Sequence, residues 1–152
     1  MNKITLRAAT PGDASFLYHV LKATMQEYVA QVWGWDEPWQ QQHFQQNFAP
    51  GQEQLIIKDN EKIGVIATEK KGDALFLAKI YILPEHQGQG IGTQLIKAVV
   101  DEGFGCGLPV TLQVLKVNRS AKRLYERLGF VVTGETATHF VMSTTPARKL
   151  DG

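Results

Sequence analysis

The hexapeptide Gln87-Gly88-Gln89-Gly90-Ile91-Gly92 sets narrow limits on the structure around it. Its three glycines alternate with larger residues, between a β-type run at 75–83 and a helical pattern. Pro84 closes the β-type run because it cannot donate to a sheet ladder. Beyond the turn, Leu95, Ile96, Val99, Val100 and Phe104 fall on one helical face. The chain here reads as strand, glycine turn, helix. The first turn of such a helix has N–H groups without intrahelical partners and carries the positive end of the helix dipole. An anion such as phosphate fits there. Glycine lets the backbone approach phosphate oxygens and adopt positive φ where needed. Two familiar phosphate loops are excluded by spacing. A dinucleotide fingerprint starting at Gly88 requires glycine where Thr93 stands, and no Gly-Lys-Ser/Thr of a P-loop occurs.

The remaining pattern extends this unit into a complete fold. Ile4, Leu6 and Ala8 alternate with polar residues as in a strand. Thr10, Pro11 and Asp13 form a helix start, and Leu17, Leu21, Thr24, Tyr28 and Val32 carry the helical spacing to about residue 31. Gly34 stops it. Trp39, His43 or Phe44, and Phe48 carry a second helical period, ended by Pro50 and Gly51. Strands are expected at 55–57, 63–68 and 75–83, with turns at 59–61 and 71–73. Val110, Leu112, Val114 and Val117 mark a fifth strand. Asn118 caps a helix whose face is Ala121, Leu124, Tyr125 and Leu128, and Gly129 closes it. Segments 130–133 and 139–143 read as a final hairpin. The order is β-α-α-β-β-β-α-β-α-β-β. Short turns make the early strands antiparallel, while the step from 75 to 117 is a right-handed crossover between parallel strands. The expected class is α/β of the α+β type: a mixed, mostly antiparallel sheet with helices on both faces. Residues 1–145 are expected to form one domain and 146–152 a frayed tail.

Composition removes several classes of function. Lys plus Arg is 16 and Asp plus Glu is 15, a formal charge of +1, so nucleic acid and anionic membrane are not expected partners. The single cysteine, Cys106, excludes an intramolecular disulfide and a cysteine-pair zinc site. His19, His43 and His86 lack metal-ligand spacing, and no metal is expected. No apolar run approaches the ~20 residues of a membrane span, and residues 1–7 carry no signal-peptide core. A cytoplasmic protein is the expectation.

The hexapeptide resembles the Q/R-x-x-G-x-G/A pyrophosphate loop of the GNAT family of N-acetyltransferases. The preceding Ile80-Tyr81-Ile82-Leu83-Pro84 resembles that family's central strand. The segment from Asn118 to Phe130 is similar to its N-x-x-A-x-x-L-Y-x-x-x-G-F pattern, and Leu6-Arg7-Ala8-Ala9 through Asp13 to its first strand and helix start. Together these cover the chain in the family's order. The resemblance implies acetyl-CoA in a cleft where the central strand and the next one splay apart. Backbone groups of Ile80 and Ile82 would pair with the pantetheine arm, with Tyr81 between them. N–H groups of Gln87, Gly88, Gln89, Gly90, Ile91, Gly92 and Thr93 would hold the pyrophosphate. Asn118 and Ala121 would contact the cofactor, and Tyr125 would face the thioester sulfur. A homodimer is a family expectation.

The implied reaction is direct attack of an amine on the thioester. A lysine-like amine of pKa ~10.4 costs ~4–5 kcal/mol to deprotonate at pH 7. The oxyanion needs a donor, for which a strand N–H near Ile82 serves. The thiolate needs an acid, and the Tyr125 phenol is one. Read without the resemblance, Tyr125 is a core tyrosine on an apolar helix face. The base departs from a common family pattern: Gln113 occupies the strand-five position where several members carry Glu, and the central strand offers Lys79. The base is a water chain, a carboxylate from the first helices, or no protein group. Tyr28, Trp33, Trp35 and Asp36, with Glu27, Glu37 and Trp39 nearby, are candidates to receive a small-molecule or peptide amine by cation–π and charge contacts. The alternative function is a noncatalytic acyl-CoA-binding or regulatory module.

Overall fold

The computed structural model describes residues 3–144. The tail expected at 146–152 lies outside them. Among the described residues the elements run β1 (Ile4–Ala8), α1 (Ala14–Val32), α2 (Glu37–Asn47), β2 (Gln54–Lys58), β3 (Glu61–Lys71), β4 (Ala74–Ile82), α3 (Ile91–Cys106), β5 (Val110–Leu115), α4 (Arg119–Arg127), β6 (Val131–Glu135) and β7 (His139–Ser143). This is the expected order. Hydrogen bonding arranges the strands β1-β2-β3-β4-β5-β7-β6. β1/β2, β2/β3, β5/β7 and β6/β7 are antiparallel. β4 and β5 are parallel, with Leu75 opposite Val110 and Phe76 opposite Thr111. The long crossover through α3 imposes that direction.

Two compact units divide these residues: 3–67 with 79–89, and 68–78 with 90–144. The first carries α1, α2, β1, β2 and the outer halves of β3 and β4. Its core gathers Ala9, Leu17, Val20, Leu55, Val65 and Leu83, with Phe16, Phe44, Phe48, Ile57 and Tyr81 packed against them. The second buries Ile91, Leu95, Ile96 and Val99 of α3, and also Val110, Leu112, Val114, Phe130 and Met142. The amphipathic spacing of α3 produces its buried stripe.

Several local details differ from expectation. A 3-10 turn, Pro11–Asp13, precedes α1. Thr10 is its N-cap, in a capping box with Asp13. Both its N–H and its hydroxyl donate to the Asp13 carboxylate, at 2.8 and 3.1 Å. β1 is an edge strand whose alternation does not bury Leu6, which is 41% exposed. The α2 stripe splits: Phe44 and Phe48 enter the core, while Trp39 stacks on His43 on the exposed side. Asp59 and Asn60 alone make the β2–β3 turn, both at positive φ, as a two-residue primed hairpin requires. Val117 falls beyond β5, in the turn closed by the Asn118 N–H on the Leu115 carbonyl. On α3, Gly103 is buried, whereas Val100 and Phe104 are half-buried.

Candidate active site

The glycine turn is built as its sequence demands. Gly88 and Gly90 take φ of +76° and +82°, and a Cβ at either would meet nothing within 4 Å. The φ values, not crowding, select glycine there, and the space beside the backbone is open. α3 begins at Ile91, so the N–H groups of Ile91, Gly92 and Thr93 belong to its first turn. The glutamines tether the loop within the first unit. Gln87 Nε2 donates to the Ile82 carbonyl at 2.8 Å, and Gln89 Oε1 accepts from Lys58 Nζ at 2.8 Å.

β4 brings Ile80, Tyr81 and Ile82 to the end of the first unit's sheet, where β3 approaches closely. A Cβ on Gly64 would lie 2.2 Å from the Tyr81 carbonyl oxygen, so only glycine lets β3 pass. Burial pushes the Tyr81 phenol up to about 12, with the Glu53 carboxylate adding to the rise. Lys79, two residues before Tyr81 and on the same strand face, is ion-paired to Glu53, whose side chain is 11% exposed. The carboxylate lies just before β2, and sequence reading did not assign it a role. The signal was available: Lys79 is the one charge in the run 75–83, and a charge inside a half-buried strand requires a partner.

In the second unit, Asn118 caps α4, its Oδ1 accepting from Ala121 N–H at 3.2 Å. The cap leaves Nδ2 as the donor side of the amide. Tyr125 lies two turns along α4, half-buried, its ring 5.7 Å from Phe130. Residues 125 to 130 are locked together by N–H bonds from Leu128 and Phe130 to the Tyr125 carbonyl. An open pocket of about 370 Å³ lined by Lys97, Val100, Asp101, Arg127, Leu128 and Gly129 contains none of the site residues nominated from sequence.

Of the candidate acceptor residues, Trp35 is drawn to Glu37 in a corner between α1 and α2. Glu37 accepts from the Tyr18 hydroxyl (2.5 Å), Trp35 Nε1 (2.9 Å) and Gln41 Nε2 (2.9 Å), and pairs with Lys22 (2.8 Å). Lys22 first, then Tyr18, Trp35 and Gln41, hold its carboxyl down to about 2. Burial, reinforced by Glu37, pushes the Tyr18 phenol up to about 12. Asp36 caps α2 by accepting from Trp39 N–H at 3.0 Å. Trp33 ends α1 and is 59% exposed, and Tyr28 is half-buried on α1. Trp35 and Asp36 are thus each fixed by a local hydrogen bond. Among the described residues, no group of three or more His, Cys, Asp or Glu is placed to hold a metal ion. No helix among them is long and apolar enough to cross a membrane.

The acetyltransferase (GNAT) family model matches residues 16–130, and the chain belongs to this family. It is similar to the L-amino acid N-acyltransferase MnaT of Escherichia coli, at 37% identity over 57 residues, 37% of this chain and 33% of that protein. It is also similar to the thialysine N-epsilon-acetyltransferase of Bos taurus, at 43% identity over 61 residues, 39% of this chain and 35% of that protein. The chain therefore matches about a third of the length of these curated relatives. Among solved structures, the PaiA N-acetyltransferase of Thermoplasma acidophilum in complex with coenzyme A shares the fold. Its TM-score is 0.76 at 18% identity, covering 94% of this chain and 99% of that one.

Proposed function

We propose that this protein transfers the acetyl group of acetyl-CoA to a primary amine by direct attack on the thioester. The observation that carries the reading is the glycine turn at 87–92. It leads into the first turn of α3 with left-handed φ at Gly88 and Gly90 and open space beside them, in a chain of the GNAT family. The turn and the α3 N–H groups hold the pyrophosphate. Ile80 and Ile82 offer backbone to the pantetheine arm, flanking Tyr81. Asn118 donates to the cofactor through Nδ2, and Ala121 lines it. The Tyr125 phenol protonates the departing thiolate. Relatives named for L-amino acid, thialysine and spermidine acetylation favour a small amine as acceptor over a peptide. The protein works without a metal, in the cytoplasm, and a homodimer is consistent with the family.

Thermal-shift titration with acetyl-CoA, CoA, ATP and NAD tests the reading. Ligand at 100 times its dissociation constant adds roughly 2.7 kcal/mol of stability. For a chain of this size that raises Tm by very roughly 5–10 °C. A shift with acetyl-CoA and CoA alone is the expected result. No shift with CoA, on protein free of copurified cofactor, overturns the reading. A shift without thiol release in the presence of L-methionine sulfone, thialysine or spermidine selects a noncatalytic acyl-CoA-binding module instead.

A further inference from the structure

Resting on that reading, we infer that the Glu53–Lys79 pair is the proton-accepting site for the acceptor amine. Three carboxylates at or beside α1 and α2 are committed to fold contacts. Glu37 is bonded to four donors, Asp36 caps α2, and Asp13 is held by Lys62 and Arg7. Glu53 is different. Its backbone is fixed by Ala9 N–H on its carbonyl at 2.9 Å, and its side chain, 11% exposed, meets Lys79 through Oε2. Lys79 and Tyr81 alternate with Ile80 on β4, and Tyr81 packs on the core that α1 and α2 cover. The charge pair therefore sits on the α1–α2 side of the sheet, one residue from the Ile80 backbone assigned to the pantetheine arm.

The pair suits the chemistry. A base must be a carboxylate within reach of solvent, and the Glu53 side chain is 11% exposed beside the Lys79 ammonium. A nucleophilic amine must lose its proton, and a second cation beside it favours the neutral form. Lys79 is that cation. The half-buried setting strengthens such a charge contact relative to water. In the step itself, Glu53 Oε1 takes one proton from the acceptor ammonium and passes it to solvent. The neutral amine forms a C–N bond to the thioester carbonyl carbon, and the C–S bond breaks. The second amine proton leaves to solvent as the amide forms. The thiolate takes a proton from Tyr125, which solvent replaces. One proton is released in net per turnover.

The test compares wild type with Glu53→Gln over pH 6–10, using acetyl-CoA and L-methionine sulfone, thialysine and spermidine as probe amines, with thiol release as readout. The expected loss in kcat for Glu53→Gln at pH 7 is roughly 10²-fold or more. It narrows to within about tenfold at pH 10, where such amines are substantially neutral. The acetyl-CoA thermal shift stays unchanged. The double variant Glu53→Gln/Lys79→Met leaves no orphaned charge, and it shows the same pH-dependent loss if the single variant does not fold. A loss equal at every pH, or no loss, overturns the inference while cofactor binding stands. A wild type that binds acetyl-CoA yet acetylates none of the three amines overturns the transferase reading, and the inference with it. Failure to bind acetyl-CoA overturns the underlying reading instead.

Discussion

Single side chains in this protein often serve a fold contact and a proposed chemical contact at once, and conservative substitutions separate the two. Asn118 is the clearest case. Its Oδ1 caps α4 on Ala121 N–H, while its Nδ2 is the donor assigned to acetyl-CoA. Asn118→Asp keeps the cap acceptor, so Tm should fall by no more than the few degrees that ~1 kcal/mol represents. It loses the donor and places a negative charge by the cofactor, so calorimetric affinity for acetyl-CoA should fall at least tenfold. Equal affinity in the variant removes Asn118 from the cofactor site. Tyr125→Phe keeps the ring beside Phe130 and removes only the hydroxyl. Turnover should drop by roughly 10²-fold or more, the usual size of a lost acid, while the thermal shift with CoA persists. Undiminished turnover would take the acid role away from this residue.

At the scale of elements, close approach of backbones decides what is tolerated. β3 passes β4 at Gly64, where an added Cβ would lie 2.2 Å from the Tyr81 carbonyl oxygen. That oxygen belongs to a hydrogen-bonded strand and cannot swing away. Gly64→Ala should therefore cost about 1–3 kcal/mol in urea unfolding, as overpacking does. It should also weaken acetyl-CoA binding, because the displaced backbone is that of residues 80–82. A stable variant with native affinity would mean the strands yield more freely than their packing suggests. The element order was legible from the sequence because each helix and strand carries its own period and its own stop: Pro84 after β4, Asn118 before α4, Asp59-Asn60 between β2 and β3. Side-chain partners were less legible. The heptad-like run Trp39, His43 or Phe44, Phe48 did not disclose that Trp39 and His43 stack outside the core, since i, i+4 neighbours meet on either helix face. Lys79 signalled that a partner was needed but not that it was Glu53, for a different reason. Its partner Lys79 is 26 residues away, brought to it only by sheet pairing. The same holds for Asp13, whose bond to Lys62 spans 49 residues.

The pH response of the molecule is the sum of such long-range pairings. Two carboxylates of the first unit have depressed pKa values in the fold. Lys62, the Thr10 backbone and Arg7 hold Asp13 far below the usual carboxylate range, and Lys22, Tyr18, Trp35 and Gln41 hold Glu37 down to about 2. A folded pKa below the unfolded one means that the unfolded chain binds more protons as acid is added. Stability from these groups is complete above the unfolded carboxylate range, ~3.9–4.3, and drains as pH falls through the folded values. Urea midpoints should thus be level from pH 7 to about 5 and fall steadily from about pH 4.5 to 2. Asp13 contributes the larger part because its side chain is 4% exposed, whereas Lys62 and Arg7 remain 41% and 46% exposed. Removing one partner of a fully buried pair costs about 3–5 kcal/mol, and water around the two cations reduces that here to about 2–3 kcal/mol. Asp13→Asn should lower stability by this amount at pH 7. It should also flatten the acid limb, since a neutral amide has no proton to take up, and the gap between the two curves should narrow steadily toward pH 2. Peptide-resolved hydrogen exchange at pH 3 should show wild-type protection falling within residues 3–67, where both carboxylates act. Parallel curves for the two proteins down to pH 2 would mean that Asp13 is not the group that titrates, and that the acid response belongs to Glu37 and the rest of the chain.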